Sequence, residues 1–255
     1  MATNVKRSFG WVQNPSNFGT LKYIVGIFDK DSCSHNDLLS YRLPLIRQNQ
    51  CITDENYDSF VAILSDGSMN AVPYSALKGR GCGKGSRAEA MCSGIVQACI
   101  DGQKSREYVS LDGTDVTLKK LYSDDWTADG YLRWAVSLGL LNYSYQDDTC
   151  VLSETGKQFV ETENGSDEEY AVLAKVLMSY PPVMRVMSLL ADGGAMTKFE
   201  IGSELGFKAE LGFTSVSQDY FIALWCEADS PEERNEVRGN IEGDSDKYAR
   251  MICSW

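Results

Sequence analysis

Residues 124–160 read "DDWTADGYLRWAVSLGLLNYSYQDDTCVLSETGKQFV", and the apolar period changes within them. Up to Leu138 the apolar residues recur at helical spacing, and Gly139 then supplies a stop. Two short strands follow around the polar turn Gln146-Asp147-Asp148, and "LSETGK" opens another helix. Helix, hairpin and helix in that order have the sequence look of a winged helix. The expected fold is mainly α with short β-hairpins, arranged as two winged-helix or helix-turn-helix-like subdomains in tandem.

Outside this stretch helical spacing dominates. It predicts helices near 19–29, 55–65, 86–101, 168–179, 183–191, 197–205 and 244–255. "SRAE" at 86–89 has the form of a capping box, and Ala88, Met91, Cys92, Ile95 and Cys99 would form a buried stripe behind it. Residues 161–169, "ETENGSDEE", are acidic and lack aliphatic side chains, which marks a linker. The expected division is a first subdomain over 1–160, an acidic linker over 161–169 and a second subdomain over 170–255. Thr197 is the expected cap of a helix in the second. The last residues, "EGDSDKYARMICSW", place Tyr248, Met251, Ile252 and Trp255 on one helical stripe, with Lys247 and Arg250 on another face. That helix reads as interrupted, so a truncated second subdomain is expected.

The 255 residues suit two small cores, and 43% hydrophobic with 24% charged residues is ordinary for a globular chain. No apolar run approaches membrane-spanning length, and "MATNVKRSFG" lacks the apolar centre of a signal peptide. Eight scattered cysteines contain no C-x-x-C pair and only His35 could assist them, which disfavours zinc and suits a reducing cytoplasm. The net charge of −12 is unevenly spread. Residues 1–140 carry 15 cations and 15 acids, and residues 141–255 carry 9 against 21. The whole deficit lies in the second part, so a local cationic face in the first is allowed.

That face is expected at "KGRGCGKGSR", 78–87, where Lys78, Arg80, Lys84 and Arg87 alternate with glycines and no acid intervenes. It is not a P-loop: only three residues separate Gly79 from Gly83, and Lys84 is followed by Gly85. A basic loop entering a helix suits backbone phosphate, and a plain surface loop is the competing reading. Gln13 and Asn14 in "GWVQNP" can donate and accept together, as adenine edges require, or can serve as loop caps beside Pro15. Trp126 suits stacking against a base or anchoring a core. One histidine leaves no nucleophile–base set, and no acid-x-Lys pair lies in an apolar strand to hold Mg²⁺. No active site is read in this chain.

"SFGWVQNP", "DDWTADGYLRWAVSLGLL", "SYPPVMRV", "TKFEIGSELGF", "GFTS" and "GDSDKYARMI" occur in one order from Phe9 to Trp255. As a set they resemble the amino-terminal recognition region of the FokI-type restriction endonucleases. The match is weak over 33–78, and 101–123 resemble a longer connection than the family has. The resemblance implies a type IIS restriction enzyme. Such an enzyme binds an asymmetric GGATG-like site through winged-helix subdomains and cuts at a distance with a separate Mg²⁺-dependent domain. No cofactor is implied for this chain itself, since the metal belongs to the cleavage domain.

Carried over by position, the family's base-contacting residues fall on Gln13, Asn14, Arg87 and Trp126, and then on Glu242 and Lys247. Lysine donates to guanine O6 and N7 while glutamate accepts from cytosine N4, so this pair suits one G·C step. A solvated ion pair is the plainer reading of the same two residues. In "RGNIE", 238–242, Gly239 and Ile241 replace a base-contacting Asn and a Trp of the family. Either Asn240 substitutes or one base position is read differently. The resemblance therefore implies a cytoplasmic DNA-recognition fragment whose partners are duplex DNA and a downstream cleavage domain. Two rivals from other classes are a winged-helix regulator without a nuclease and a degenerate protein-interaction remnant.

Overall fold

The computed structural model describes residues 17–66, 71–80, 91–100, 125–197, 200–201 and 225–237. The described residues divide into two compact units, with the boundary between Ala174 and Lys175.

In the first unit, helix α1 (Phe18–Gly26) starts at Asn17, whose side chain accepts from the Thr20 N–H at 2.9 Å. It buries Leu21, Ile24 and Val25 completely. Helix α2 (Cys33–Asp37) is capped by Ser32 and runs through one π-helical turn, Leu38–Arg42, into α3 (Leu43–Gln48). The widened turn has a local cause in the sequence. Pro44 has no N–H to donate back, and its ring crowds the preceding turn, so a looser winding relieves both faults. The π turn also sets Arg42 inward. Its Nε donates to Asp37 at 2.8 Å, a terminal nitrogen donates to the Cys99 carbonyl at 2.6 Å, and the guanidinium stacks 3.5 Å from the Tyr23 ring. Burial pushes the Tyr23 phenol well up, so it stays a neutral donor to Asp37 at 2.9 Å.

Helix α4 (Asp54–Ser65) is capped by Thr53, strand β1 (Val72–Pro73) follows, and α5 (Tyr74–Lys78) leads to Gly79. Helix α6 covers 95–100. Next come α7 (Asp125–Ser137), β2 (Leu141–Ser144), β3 (Thr149–Leu152), α8 (Glu154–Glu161) and α9 (Asp167–Met178). The helix–hairpin–helix order expected over 124–160 is therefore observed. Gly139 ends α7 at φ 71°, and Asp148 takes φ 54° in the hairpin turn, a conformation that aspartate tolerates better than most residues. The three strands form one antiparallel sheet in the order β1-β3-β2, with Tyr143 opposite Cys150 and Val72 on the other side of Cys150. Pro73 lies on the edge strand, where its missing N–H is tolerated.

One expectation is corrected. Residues 91–94 are not helical, so a single helix does not run over 86–101. Cys92 instead forms a parallel bridge with Ile52, its N–H bonded to the Cys51 carbonyl at 2.7 Å. Cys92, Ile95 and Cys99 are buried as the stripe requires, but a strand-like segment and a short helix bury them in succession. The "SRAE" segment itself lies outside the described residues.

Lys22 on α1 is almost buried and reaches across to the segment between α8 and α9. Its ammonium donates to the Thr162 carbonyl (2.8 Å) and hydroxyl (3.0 Å) and to Glu169 (2.7 Å). Desolvation pushes the Glu169 carboxyl up. The Lys22 hydrogen bond, the Gly165 N–H and the Lys22 charge outweigh it and hold the carboxyl below the usual carboxylate range. A depressed folded-state pKa contributes stability above the unfolded-state value and loses it as pH falls through the folded one. Glu169→Gln should therefore cost about 1–2 kcal/mol at neutral pH. Urea unfolding repeated at decreasing pH should show that difference shrinking once carboxylates protonate.

The second unit contains α10 (Pro181–Gly193), which opens on Pro181 and Pro182 and ends at Gly194, φ 69°. Val186, Leu189 and Leu190 of α10 pack with Met196 around the buried Ile201. Thr197 is the cap expected from the sequence: its hydroxyl accepts from the Glu200 N–H at 3.2 Å, and Glu200 accepts from the Thr197 N–H at 2.7 Å. The backbone N–H and hydroxyl of Thr197 together hold the Glu200 carboxyl below its ordinary range. Residues 225–227 and 231–237 are also helical.

Candidate nucleic-acid interface

The basic stretch begins at the end of α5, and the sequence at residues 78–80 dictates a close crossing. Gly79 sits at φ 78°, and a Cβ on it would meet the Gly94 backbone; a Cβ on Gly94 would meet the backbone of Lys78 and Gly79. Two glycines placed back to back thus let residue 79 lie directly on the turn before α6. Ser93 and Gln97 then take hold of Arg80. The Arg80 N–H donates to Ser93 Oγ at 2.8 Å, and the Gln97 amide reaches the Arg80 carbonyl at 3.4 Å. The Arg80 side chain is exposed.

Lys78 does not behave as the sequence suggests. Its ammonium lies 3.4 Å from Asp125 and 3.9 Å from Asp129, and Tyr74 also donates to Asp129 at 2.9 Å. Lys78 was expected in the cationic face, but its charge is matched inside the fold, where it ties α5 to the first turn of α7. That tie has a positional consequence. Trp126 follows Asp125 in the first turn of α7, so the backbones of Arg80 and Trp126 are brought to the same region through Lys78. The remaining expected site residues, Gln13, Asn14, Lys84, Arg87, Asn240, Glu242 and Lys247, lie outside the described residues, as does the side chain of Trp126.

Other parts of the first unit carry the opposite charge. An open cleft of about 550 Å³ is lined by Asp29, Asp31, Glu161 and Glu163, and by Lys22, which is already paired to Glu169. The hairpin tip exposes Asp147 next to Asp148, which accepts from the Tyr143 hydroxyl at 2.5 Å. Carboxylates repel phosphate, so neither surface suits a nucleic-acid backbone. Residues that sequence reading missed are Ser93, Gln97 and the pair Asp125 and Asp129. Gln97 left one signal, a lone amide inside the apolar run "GIVQACI".

Comparison with known proteins fits this geometry to a class. Residues 7–162 match the family described as FokI, recognition domain, subdomain 1, and residues 169–254 match FokI, recognition domain, subdomain 2. The chain belongs to the FokI recognition-domain family.

Type II restriction enzyme FokI of Planomicrobium okeanokoites is 37% identical over 249 residues, covering 98% of this chain and 39% of that protein. Type II restriction enzyme StsI of Streptococcus sanguinis is 28% identical over 256 aligned positions, covering 96% of this chain and 38% of that protein. A solved structure of restriction endonuclease FokI bound to DNA superimposes with a TM-score of 0.72 at 37% identity, over 98% of this chain and 40% of that one. A second FokI structure gives 0.69 at 36% identity, over 97% of this chain and 39% of that one. The chain spans about two fifths of the length of these relatives. Among the described residues no helix is long and apolar enough to cross a membrane.

Proposed function

We propose that this chain recognises duplex DNA in a sequence-specific manner, as the recognition portion of a type IIS restriction endonuclease in a restriction-modification system. The observation that carries the reading is the match of nearly the whole chain, at 37% identity, to FokI, one of whose solved structures holds DNA. The arrangement of α7, β2, β3 and α8 supports a winged-helix reading of the first subdomain, and residues 163–168, inside the expected linker 161–169, fall between the two family matches. In this proposal Arg80 and Lys84 contact phosphate, and Gln13, Asn14, Arg87, Trp126, Asn240, Glu242 and Lys247 face bases in a GGATG-like site. Cleavage, its Mg²⁺ and a cytoplasmic location belong to the full-length enzyme.

Fluorescence-anisotropy titration against a GGATG duplex and a shuffled duplex, across salt concentrations, tests the reading. The expected result is a preference for GGATG that persists as salt rises. Arg87→Ala and Lys247→Ala should each remove about 1–3 kcal/mol of that preference, roughly five- to 150-fold. Equal and salt-sensitive affinity for both duplexes would defeat sequence-specific readout of GGATG. The absence of binding would instead favour the protein-interaction reading, to which Gly239 and the net charge of −12 lend some weight.

A further inference from the structure

Gln97 is wholly buried in α6, and its amide faces the start of the basic segment. Its Oε1 accepts from the Ser93 N–H at 2.9 Å and lies 3.3 Å from Ser93 Oγ, while its Nε2 reaches the Arg80 carbonyl at 3.4 Å. Ser93 Oγ in turn accepts from the Arg80 N–H at 2.8 Å. Both polar groups of the Arg80 backbone are therefore held by buried or half-buried side chains, although Arg80 itself is exposed. Burying an amide costs free energy that an apolar side chain in the same helix would avoid. The amide earns its place through what it orders, and what it orders is residue 80.

The surroundings reinforce this. The glycine pair 79 and 94 brings the chain within reach of the amide, and the Lys78 link to Asp125 and Asp129 fixes the preceding residues against α7. An exposed cation on a pre-fixed backbone gives up less conformational freedom when it meets a phosphate than one on a loose loop. We infer that Gln97 is a positioning residue for DNA binding, acting through Arg80, whose backbone it anchors so that the guanidinium meets the phosphate backbone. The inference rests on the DNA reading above.

The test is a double-mutant cycle on the full chain, titrating a duplex of arbitrary sequence and a GGATG duplex over a range of salt. Arg80→Ala should weaken binding about tenfold at low salt and flatten the slope of log affinity against log salt by about one. Gln97→Met should do the same in part, and the double variant should bind no more weakly than Arg80→Ala alone. Ser93→Ala, which removes the other anchor, should behave like Gln97→Met and serves if that variant does not fold. Glu169→Gln, destabilised at a distance from Arg80, should keep the original slope. A Gln97→Met protein with the original slope, or losses that multiply in the double variant, would overturn the positioning role while leaving DNA binding intact. Failure of the unaltered chain to bind either duplex would overturn the DNA reading and this role with it.

Discussion

Gly156→Ala should lower the unfolding free energy by about 3 kcal/mol, the upper end of what overpacking a rigid site costs. Residue 156 lies in the first turn of α8, whose cap is Ser153: the hydroxyl accepts from the Gly156 N–H at 2.9 Å. The same hydroxyl contacts the Gly139 carbonyl at 2.6 Å and the Leu140 carbonyl at 2.9 Å. The Ser153 N–H also donates to Leu140 at 3.2 Å. These bonds draw α8 onto the start of the hairpin until a Cβ at position 156 would run into the Leu140 carbonyl oxygen. The obstacle is backbone, so no rotamer change relieves it. Gly165→Ala is the matched control, since it has open space and only a left-handed φ of 77° to oppose it, at about 1 kcal/mol. Urea denaturation of both variants measures the difference. Equal small losses would show that α8 can slide off the hairpin without penalty.

Trp134→Ala should cost about 3–5 kcal/mol, as expected for removing a large ring from a closed core. Trp134 has no exposed surface and stacks on Phe18 of α1 with ring centroids 5.0 Å apart. Leu132 and Ala135 beside it are also fully buried, so little can collapse into the space. The consequence reaches function because α7 carries Trp126 in its first turn. Under the DNA reading, a truncated core residue eight positions along the same helix should reduce affinity for a GGATG duplex even at temperatures where most molecules remain folded. Far-UV circular dichroism melts alongside anisotropy titrations check both parts. A full-affinity variant with a much lowered melting point would mean that α7 keeps its place without this anchor.

The parts of the fold legible in the sequence are those whose cause is local. The helix stop at Gly139, the hairpin around Gln146-Asp147-Asp148, the helix opened by "LSETGK" and the Thr197 cap each follow from a few neighbouring residues, and each is found. Where burial alone was read as periodicity, it misled. Cys92, Ile95 and Cys99 fit a helical stripe, yet Cys92 is buried by pairing with Ile52, forty positions earlier in the chain. The π turn at Leu38–Arg42 could have been anticipated from Pro44, but where it directs Arg42 depends on Cys99 and Tyr23.

The candidate site divides in the same way. By itself the sequence determined the family resemblance, the cationic composition of 78–87 and the helix–hairpin–helix order, because these depend on residue identity and short spacing. Only the tertiary structure decided that Lys78 is matched by Asp125 and Asp129, that Gln97 and Ser93 hold Arg80, and that Lys22 draws 162–169 onto α1. The reason is physical. A charge or an amide takes its role from the partner it meets, and those partners stand between 13 and 147 residues away along the chain.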